Sequence, residues 1–190
     1  GYLAFPPNFI RCWPPQGATQ ALNVAFRKAQ GKYVMLLCDD MEPRVFLLKR
    51  AVEFMEAHPE VGQGALYVAT PNQRCHVPPW LGWMYAQVWI VRRVVGEEVG
   101  WYEPACRHAF VDNDFSAKIL QAGHGVVAIP GACVKGNAIN DGTHEESASR
   151  ALEDEALIKK KWQPLEKELS ALWKEKWQKL SGPLECAHPH

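Results

Sequence analysis

Two adjacent carboxylates, Asp39 and Asp40, directly follow the apolar run 33–37 and are the first candidates for chemistry in this sequence. An uninterrupted apolar run of strand length is typical of a parallel strand covered on both faces. In open α/β sheets, ligands bind beyond the carboxyl ends of the strands, and Mg²⁺ or Mn²⁺ takes carboxylate oxygens together with substrate phosphates. The pair therefore predicts a cation site. The alternative is an acid pair favoured by the dipole of a helix that starts near Pro43.

A second acidic group, Asp112-Asn113-Asp114, precedes a predicted helix. Asp112 could cap that helix, or it could project into a cleft as a general base. His144 lies in a polar loop after the last predicted strand, where both a metal ligand and a surface residue fit. The six cysteines are scattered without a CxxC pair, which favours buried reduced thiols over a disulfide framework.

The elements that must position these side chains follow from apolar periodicity. In chain order they are helix 19–30, strand 33–37, helix 43–57, strand 64–70, helix 114–122 and strand 126–129. Pro43 is expected in the first turn of its helix, and Pro130 is expected to end the last strand. The apolar stretch 83–95 fits either a strand or a helix. Helices alternating with strands over short connections indicate an α/β fold with right-handed crossovers.

The tail over 149–180 is predicted to be helical and is divided near Pro164. Leucines and tryptophans after Pro164 recur at helical spacing, which predicts an amphipathic helix packed on the domain. Association of this helix with a membrane surface is the alternative, and its mixed charge disfavours that. We therefore divide the chain into a domain at 1–148 and a C-terminal helical extension and tail at 149–190.

Composition limits the classes of function. The chain has 190 residues, 47% of them hydrophobic, which is enough for one domain with a real core, and its net charge is zero. A neutral chain shows no bulk electrostatic attraction for nucleic acid, so no nucleic-acid partner is expected. No apolar run approaches the length of a membrane span, and no charged and apolar leader opens the chain. A cytoplasmic location is the expectation.

Three segments of the chain contain motif residues that follow one another in a particular order and spacing. They are Gly17, Ala21, Asn23, Ala29, Gly31, Tyr33, Val34 and 36–40 in the first; Val91, Arg93 and 99–103 in the second; and 110–115, Gly123 and 130–132 in the third. Together they resemble the family 2 glycosyltransferases over about residues 9–145. The resemblance implies the GT-A fold, a mixed sheet flanked by helices, here followed by the C-terminal helix.

The resemblance also implies a reaction: inverting transfer of a sugar from a nucleotide-diphosphate donor to the hydroxyl of a saccharide or another acceptor, with Mn²⁺ or Mg²⁺ as cofactor. By position in the motifs, Asp40 matches the metal ligand, Asn23 and Asp39 match the donor side, and Asp112 matches the catalytic base. Cys38 replaces the first acid of the metal motif.

Further residues would complete the site that the resemblance implies. Asp114, Tyr102 and Glu103 match positions that face the acceptor or support the site. The family's late histidine ligand is absent from its usual place, and His144 is the candidate to supply it. Trp83 lies in a tryptophan-rich stretch that could form an acceptor surface, because sugars pack on aromatic faces, or could equally belong to the core.

Two alternatives remain open, because the family begins with a strand–helix–strand unit that this chain is expected to lack. A degenerate, non-catalytic relative would act as a binding or assembly module, with its uncovered sheet edge joined to a second copy of the chain or to a partner strand. An unrelated α/β phosphotransfer enzyme with a carboxylate-bound metal would show no preference for nucleotide-sugars.

Overall fold

The computed structural model describes residues 17–38, 41–69, 75–77, 79–107, 109–136, 145–183 and 185–186. The strands are β1 Tyr33–Leu36, β2 Met41–Pro43, β3 Val61–Ala69, β4 Cys75–His76, β5 Pro79–Trp80, β6 Trp83–Met84, β7 Trp89–Arg92, β8 Gly125–Gly136 and β9 Glu185–Cys186. The helices are α1 Ala18–Lys28, α2 Leu47–Ala57, α3 Arg93–Val99, α4 Val111–Gln121, α5 Glu145–Trp162 and α6 Glu166–Leu172.

The centre of the fold is the pair β3 and β8, which run parallel to each other. Every residue of β3 is buried, as expected of a strand covered on both faces. The two strands pack closely, because a Cβ on Gly64 would collide with Cδ1 of Ile129 in β8. Only a glycine fits at that position without displacing the core.

The sheet is mixed. β7 runs antiparallel to the first half of β3, and β1 runs antiparallel to β7. β4 pairs with the far end of β3, and β9 pairs with β4. The apolar run 33–37 therefore predicted the strand correctly but its environment wrongly. Among the described strands β1 lies at the edge of the sheet, paired antiparallel with β7 alone, and only Val34 in it is buried.

The predictions for Pro43 and Pro130 were wrong. Pro43 lies in β2, which pairs antiparallel with β8, and α2 begins only at Leu47, after Phe46 takes a left-handed backbone (φ 64°). Pro130 does not end its strand, because β8 continues to Gly136. Pro130 and Gly131 are exposed beside a register shift against β3, where the missing N–H of a proline leaves no ladder bond unmade.

The ambiguous stretch 83–95 contains both kinds of structure. It begins with β6, which forms a two-stranded hairpin with β5, then continues through β7 into α3. The helix predicted over 114–122 begins earlier, at Val111, and ends at Gln121. The helix predicted over 19–30 is α1.

The C-terminal helices pack on the domain, as the apolar stripe predicted. α5 ends in a 3₁₀ turn over Gln163–Leu165 that contains Pro164, and α6 continues into a π-helical turn over Trp173–Trp177. Trp162, Leu169, Trp173 and Trp177 are buried, and Nε1 of Trp173 donates to the carbonyl of Val126 in β8 (2.8 Å). Of the helices described, none has the length and apolarity that crossing a bilayer requires.

Candidate functional site

A cavity of about 380 Å³ opens where β1 ends. β1, β3 and β8 all point in the same direction, so this is the carboxyl edge of the sheet, where α/β folds bind ligands. Its wall combines apolar and polar groups contributed by α1, β1, the segment before β7 and the start of α4. The lining includes Leu22, Leu36, Cys38, Tyr85, Gln87, Tyr102, Phe110, Asp112 and Asn113.

Asp112 is the carboxylate of this cavity. It lies in the first turn of α4, which begins after Phe110 takes a left-handed backbone (φ 57°), and its Oδ1 accepts the N–H of Asn113 (3.0 Å). Burial raises the pKa of Asp112 to about 6, against the opposing effect of its backbone hydrogen bonds. A carboxylate with a pKa just below neutral is well suited to accept a proton, because it is ionised at pH 7 yet appreciably basic.

Two phenols share the cavity with Asp112. Burial, and secondly the charge of Asp112, raise the pKa of Tyr85 to about 12. Burial and Asp112 likewise raise the pKa of Tyr102, although the hydrogen bond that its Oη accepts from Nε1 of Trp89 (3.0 Å) acts in the opposite direction. Both phenols therefore stay neutral, so their hydroxyl groups keep a proton to donate.

A residue of α4, Ser116, holds the segment that carries Tyr85 and Gln87. Oγ of Ser116 accepts the N–H of Ala86 (3.1 Å) and donates to Oε1 of Gln63 in β3 (2.8 Å). Ser116 and Gln63 are both buried, so this polar chain is shielded from water. No local pattern in the sequence singles out Tyr85, Gln87 or Ser116, because their proximity depends on the packing of α4 against β3.

Asn23 lies behind the cavity wall. Its Nδ2 donates to the carbonyl of Tyr102 (3.1 Å) and its Oδ1 accepts the N–H of Tyr102 (3.0 Å). Asn23 is 1% exposed, so both ends of its amide are committed to this backbone. In this structure the amide of Asn23 holds the backbone of Tyr102 against α1, and the role of Asn23 at the donor stays a prediction.

Asp114 faces away from the cavity. It is fully buried, and its Oδ1 accepts from Nζ of Lys161 (2.7 Å) and from Nε1 of Trp162 (2.8 Å), both on α5. Its Oδ2 forms an ion pair with Lys118 (2.8 Å). Glu103 joins the same network through Lys161 (3.2 Å). The structure thus places Asp114 and Glu103 between α4 and the C-terminal helix.

A carboxylate that the sequence did not single out supports the start of α4. Asp154 on α5 is 5% exposed and accepts the backbone N–H groups of Arg107 (3.2 Å) and Ala109 (2.9 Å). These residues lead directly to Phe110 and Asp112. Helix α5 therefore holds in place the loop that leads to Asp112.

Trp83 is a core residue. It is fully buried and packs edge-on against Trp80, with ring centroids 5.5 Å apart. The structure therefore supports the second interpretation of the tryptophan-rich stretch for Trp83, which lies in the interior and not on an acceptor surface. Of the three cysteines whose side chains the structure describes, Cys106 and Cys133 are buried as expected, whereas Cys38 is exposed at the cavity.

The predicted metal and donor residues Asp39, Asp40 and His144 lie outside the described residues. The two residues that flank Asp39 and Asp40 are hydrogen-bonded to each other, because the N–H of Met41 donates to the carbonyl of Cys38 (3.1 Å). Within the described ranges, no three His, Cys, Asp or Glu side chains gather as a metal site.

Comparison with solved structures identifies the fold. The chain is similar to GalNAc-T7 with UDP, GalNAc and Mn²⁺ (TM-score 0.65, 13% identity, 87% of this chain and 42% of that one). It is similar to the Pyrobaculum calidifontis mannosyltransferase PcManGT with GDP-Man and Mn²⁺ (TM-score 0.57, 17% identity, 82% and 49%). It is also similar to residues 1–349 of S. aureus TarS (TM-score 0.58, 16% identity, 83% and 50%).

The mixed sheet flanked by helices is thus the GT-A fold expected from the sequence, followed by a C-terminal helix. The structures it resembles are glycosyltransferases, and the chain spans half of their length or less. No protein-family profile matches the chain, and no curated protein does.

Proposed function

We propose that this chain is a glycosyltransferase domain that moves a sugar from a nucleotide-diphosphate donor to an acceptor hydroxyl, with inversion at the anomeric carbon. The observation that carries the proposal is the position of Asp112. It lies in the cavity at the carboxyl edge of a GT-A sheet, with a pKa raised by burial to about 6. The fold supports the reaction class, and the carboxylate supplies the base that the class needs.

Asp40 and His144 are the residues that would hold Mn²⁺ or Mg²⁺, and Asp39 would face the donor. Carboxylate oxygens and an imidazole nitrogen are ligands that Mn²⁺ accepts, so the donor set fits the ion. Leu36 and Cys38, which precede these acids in the chain, line the cavity that contains Asp112. A bound ion would supply neutralisation of charge on the diphosphate leaving group.

The residues of the cavity have the following roles in the proposed reaction. Asp112 accepts the proton of the acceptor hydroxyl while that oxygen forms its bond to the anomeric carbon and the bond from that carbon to the diphosphate breaks. The hydroxyl group of Tyr85 stays protonated beside Asp112 and orients the acceptor by a hydrogen bond, whereas Tyr102, which is 1% exposed, supports the cavity wall beside Asp112. Single displacement of this kind inverts the anomeric centre.

Thermal shift with a panel of nucleotide diphosphates and their sugars, each with and without Mn²⁺, tests the proposal. UDP and GDP head the panel, because structures of the same fold contain UDP or GDP-Man. We expect one nucleotide to raise the melting temperature only when Mn²⁺ is present. Asp112→Asn should keep this shift while losing sugar transfer, since the variant retains the shape of the side chain but cannot take a proton.

The same panel separates the two alternatives. A non-catalytic relative would respond to none of the nucleotides or would bind them without transfer in the wild type. A phosphotransfer enzyme would respond equally to nucleotide-sugars and to other phosphates. Asp112→Asn transferring sugar at the normal rate would show that the base is another residue.

A further inference from the structure

Two cysteines far apart in the sequence occupy paired positions in the strand pair β4 and β9. β4 and β9 run antiparallel, and their register sets Cys75 directly opposite Cys186. Directly opposed residues of an antiparallel pair lie on the same face of the sheet, with Cα atoms about 4.5 to 5.5 Å apart. A disulfide joins residues whose Cα atoms are about 4.4 to 6.8 Å apart. The register therefore satisfies the main geometric requirement for a cross-link.

The chain on both sides of this pair is anchored by buried contacts. Before β9, the N–H of Gly182 donates to the carbonyl of Ala128 (2.9 Å), and Oη of Tyr67 donates to the carbonyl of Pro183 (2.6 Å). Beside β4, Val77 is 2% exposed. Each cysteine thus lies within three residues of a fixed point on the core, which restricts the drift of one strand along the other.

We propose that Cys75 and Cys186 form a disulfide that fastens the C-terminal segment to the edge of the sheet. A disulfide uses two cysteines, and the register of β4 and β9 brings together two. A structural zinc site would need four ligands, and among the described strands Cys75 and Cys186 are the only two cysteines that the register sets opposite each other. The proposal does not depend on the glycosyltransferase function.

The bond would form by exchange with a small-molecule disulfide, such as oxidised glutathione. The thiolate of one cysteine attacks a glutathione sulfur, forms a mixed disulfide and releases one glutathione thiolate. The thiolate of the second cysteine then attacks the protein sulfur of that mixed disulfide and releases the second glutathione thiolate. The protein loses two electrons and two thiol protons, and two molecules of reduced glutathione carry both away.

Peptide mapping of the native full chain tests the proposal directly. Trypsin cuts after Arg74, Arg92 and Lys179, so Cys75 falls in peptide 75–92 and Cys186 in peptide 180–190, each without a second cysteine. After equilibration with oxidised glutathione and alkylation of remaining thiols, we expect these two peptides to be joined, and to separate on reduction. Alkylation of both cysteines in the native protein would overturn the proposal, as would protection of both thiols that a chelator removes.

Thermal unfolding supplies a second measurement. The cross-link would close a loop of about 110 residues, and constraints on long loops restrict the unfolded chain most. We expect the melting temperature of the wild type to fall by several degrees on reduction, and that of Cys75→Ala and of Cys186→Ala to be unaffected by reductant. Cys38→Ser is the matched control, because Cys38 is exposed and distant in sequence from both, and it should keep the wild-type response. A reductant response that survives in Cys186→Ala would contradict the proposal.

Discussion

Asp112 and Asp114 are separated by one residue on α4 and face opposite environments. Asp112 lines the cavity at the carboxyl edge of the sheet, whereas Asp114 is fully buried against Lys161 and Trp162 of α5. Side chains two positions apart on a helix point in directions about 200° apart around its axis, so one turn can serve both a cavity and a structural contact. The start of α4 is therefore held in place by the C-terminal helix while it presents a carboxylate to the cavity.

The rate of sugar transfer should depend on the ionisation of Asp112. Because burial raises the pKa of this carboxyl to about 6, the base is lost as the pH falls through that value. We expect kcat/KM to be constant above about pH 7 and to decline below pH 6 with the slope of one proton. Initial rates across a pH series at constant ionic strength would measure this, and Asp112→Asn should lower the rate by about 10² to 10⁴-fold. A profile whose acid limb lies near pH 4 would assign the base to a carboxylate with an ordinary pKa.

The same substitution should stabilise the protein at neutral pH. A carboxyl whose folded pKa is raised favours folding only while it is protonated, so its contribution is complete below the unfolded pKa of about 4 and is lost as the pH rises through about 6. Asp112→Asn removes the buried charge, and we expect a gain of about 1 to 3 kcal/mol in the free energy of unfolding at pH 7. Urea unfolding at pH 7 and at pH 4 measures both states, and the gain should shrink at pH 4. Equal gains at the two pH values would mean that ionisation of Asp112 is not its source.

Removing the charge of Asp114 should destabilise the contact between α4 and α5. The hydrogen bond and the charge of Asp114 raise the pKa of Lys161 against the effect of burial, and Lys118 shares the same carboxylate. Asp114→Asn leaves both ammonium groups without this partner, and we expect a loss of about 2 to 4 kcal/mol in the free energy of unfolding. Glu103→Gln is the matched control, since Glu103 is more exposed and contacts the same Lys161. A loss in the control equal to that in Asp114→Asn would show that burial of Asp114 is not decisive.

Stability and nucleotide affinity together distinguish a structural role of Asn23, in holding Tyr102, from a contact of Asn23 with the donor. Asn23→Ala removes two hydrogen bonds to the backbone of Tyr102 and leaves that N–H and carbonyl buried, so we expect a loss of about 2 to 3 kcal/mol in stability. Isothermal titration with the nucleotide diphosphate found by the panel, at a temperature where the variant is folded, should give a Kd within about twofold of the wild type. A large rise in Kd with little loss of stability would instead restore Asn23 to the donor side.

Asp154 should affect the site without touching it. Its carboxylate accepts the N–H groups of Arg107 and Ala109, which precede the cavity residue Phe110. Asp154→Ala frees these donors, and we expect kcat to fall while the nucleotide KM changes little, because the loop positions Asp112 rather than the donor. Asp154→Asn retains one acceptor oxygen and should restore part of kcat. Equal losses in the two variants would indicate that Asp154 matters only for folding.

Periodicity and residue type predicted most of the described helices and the strands β1, β3 and β8, but not the short strands. The buried strand β3, the helices α1 and α4, and the C-terminal stripe that packs on the domain each follow from a local apolar pattern. The order of three motifs led to the GT-A fold, which the similar structures confirm. The predictions for Pro43 and Pro130 failed because a proline is tolerated wherever its missing N–H has no partner to lose, and pairing partners are a tertiary property.

The sequence by itself identified Asp112 as an acid that precedes a helix, where the local residues favoured a helix cap and left a general base as the alternative. Tertiary structure decided between the faces of α4, because the packing of α5 buried Asp114 and left Asp112 in the cavity with Tyr85 and Tyr102. The role of Asn23 likewise could not be determined from the sequence. The sequence showed that Asn23 belongs to a motif. Both ends of its amide are hydrogen-bonded to a backbone that lies about 80 residues away, and only folding brings the two together.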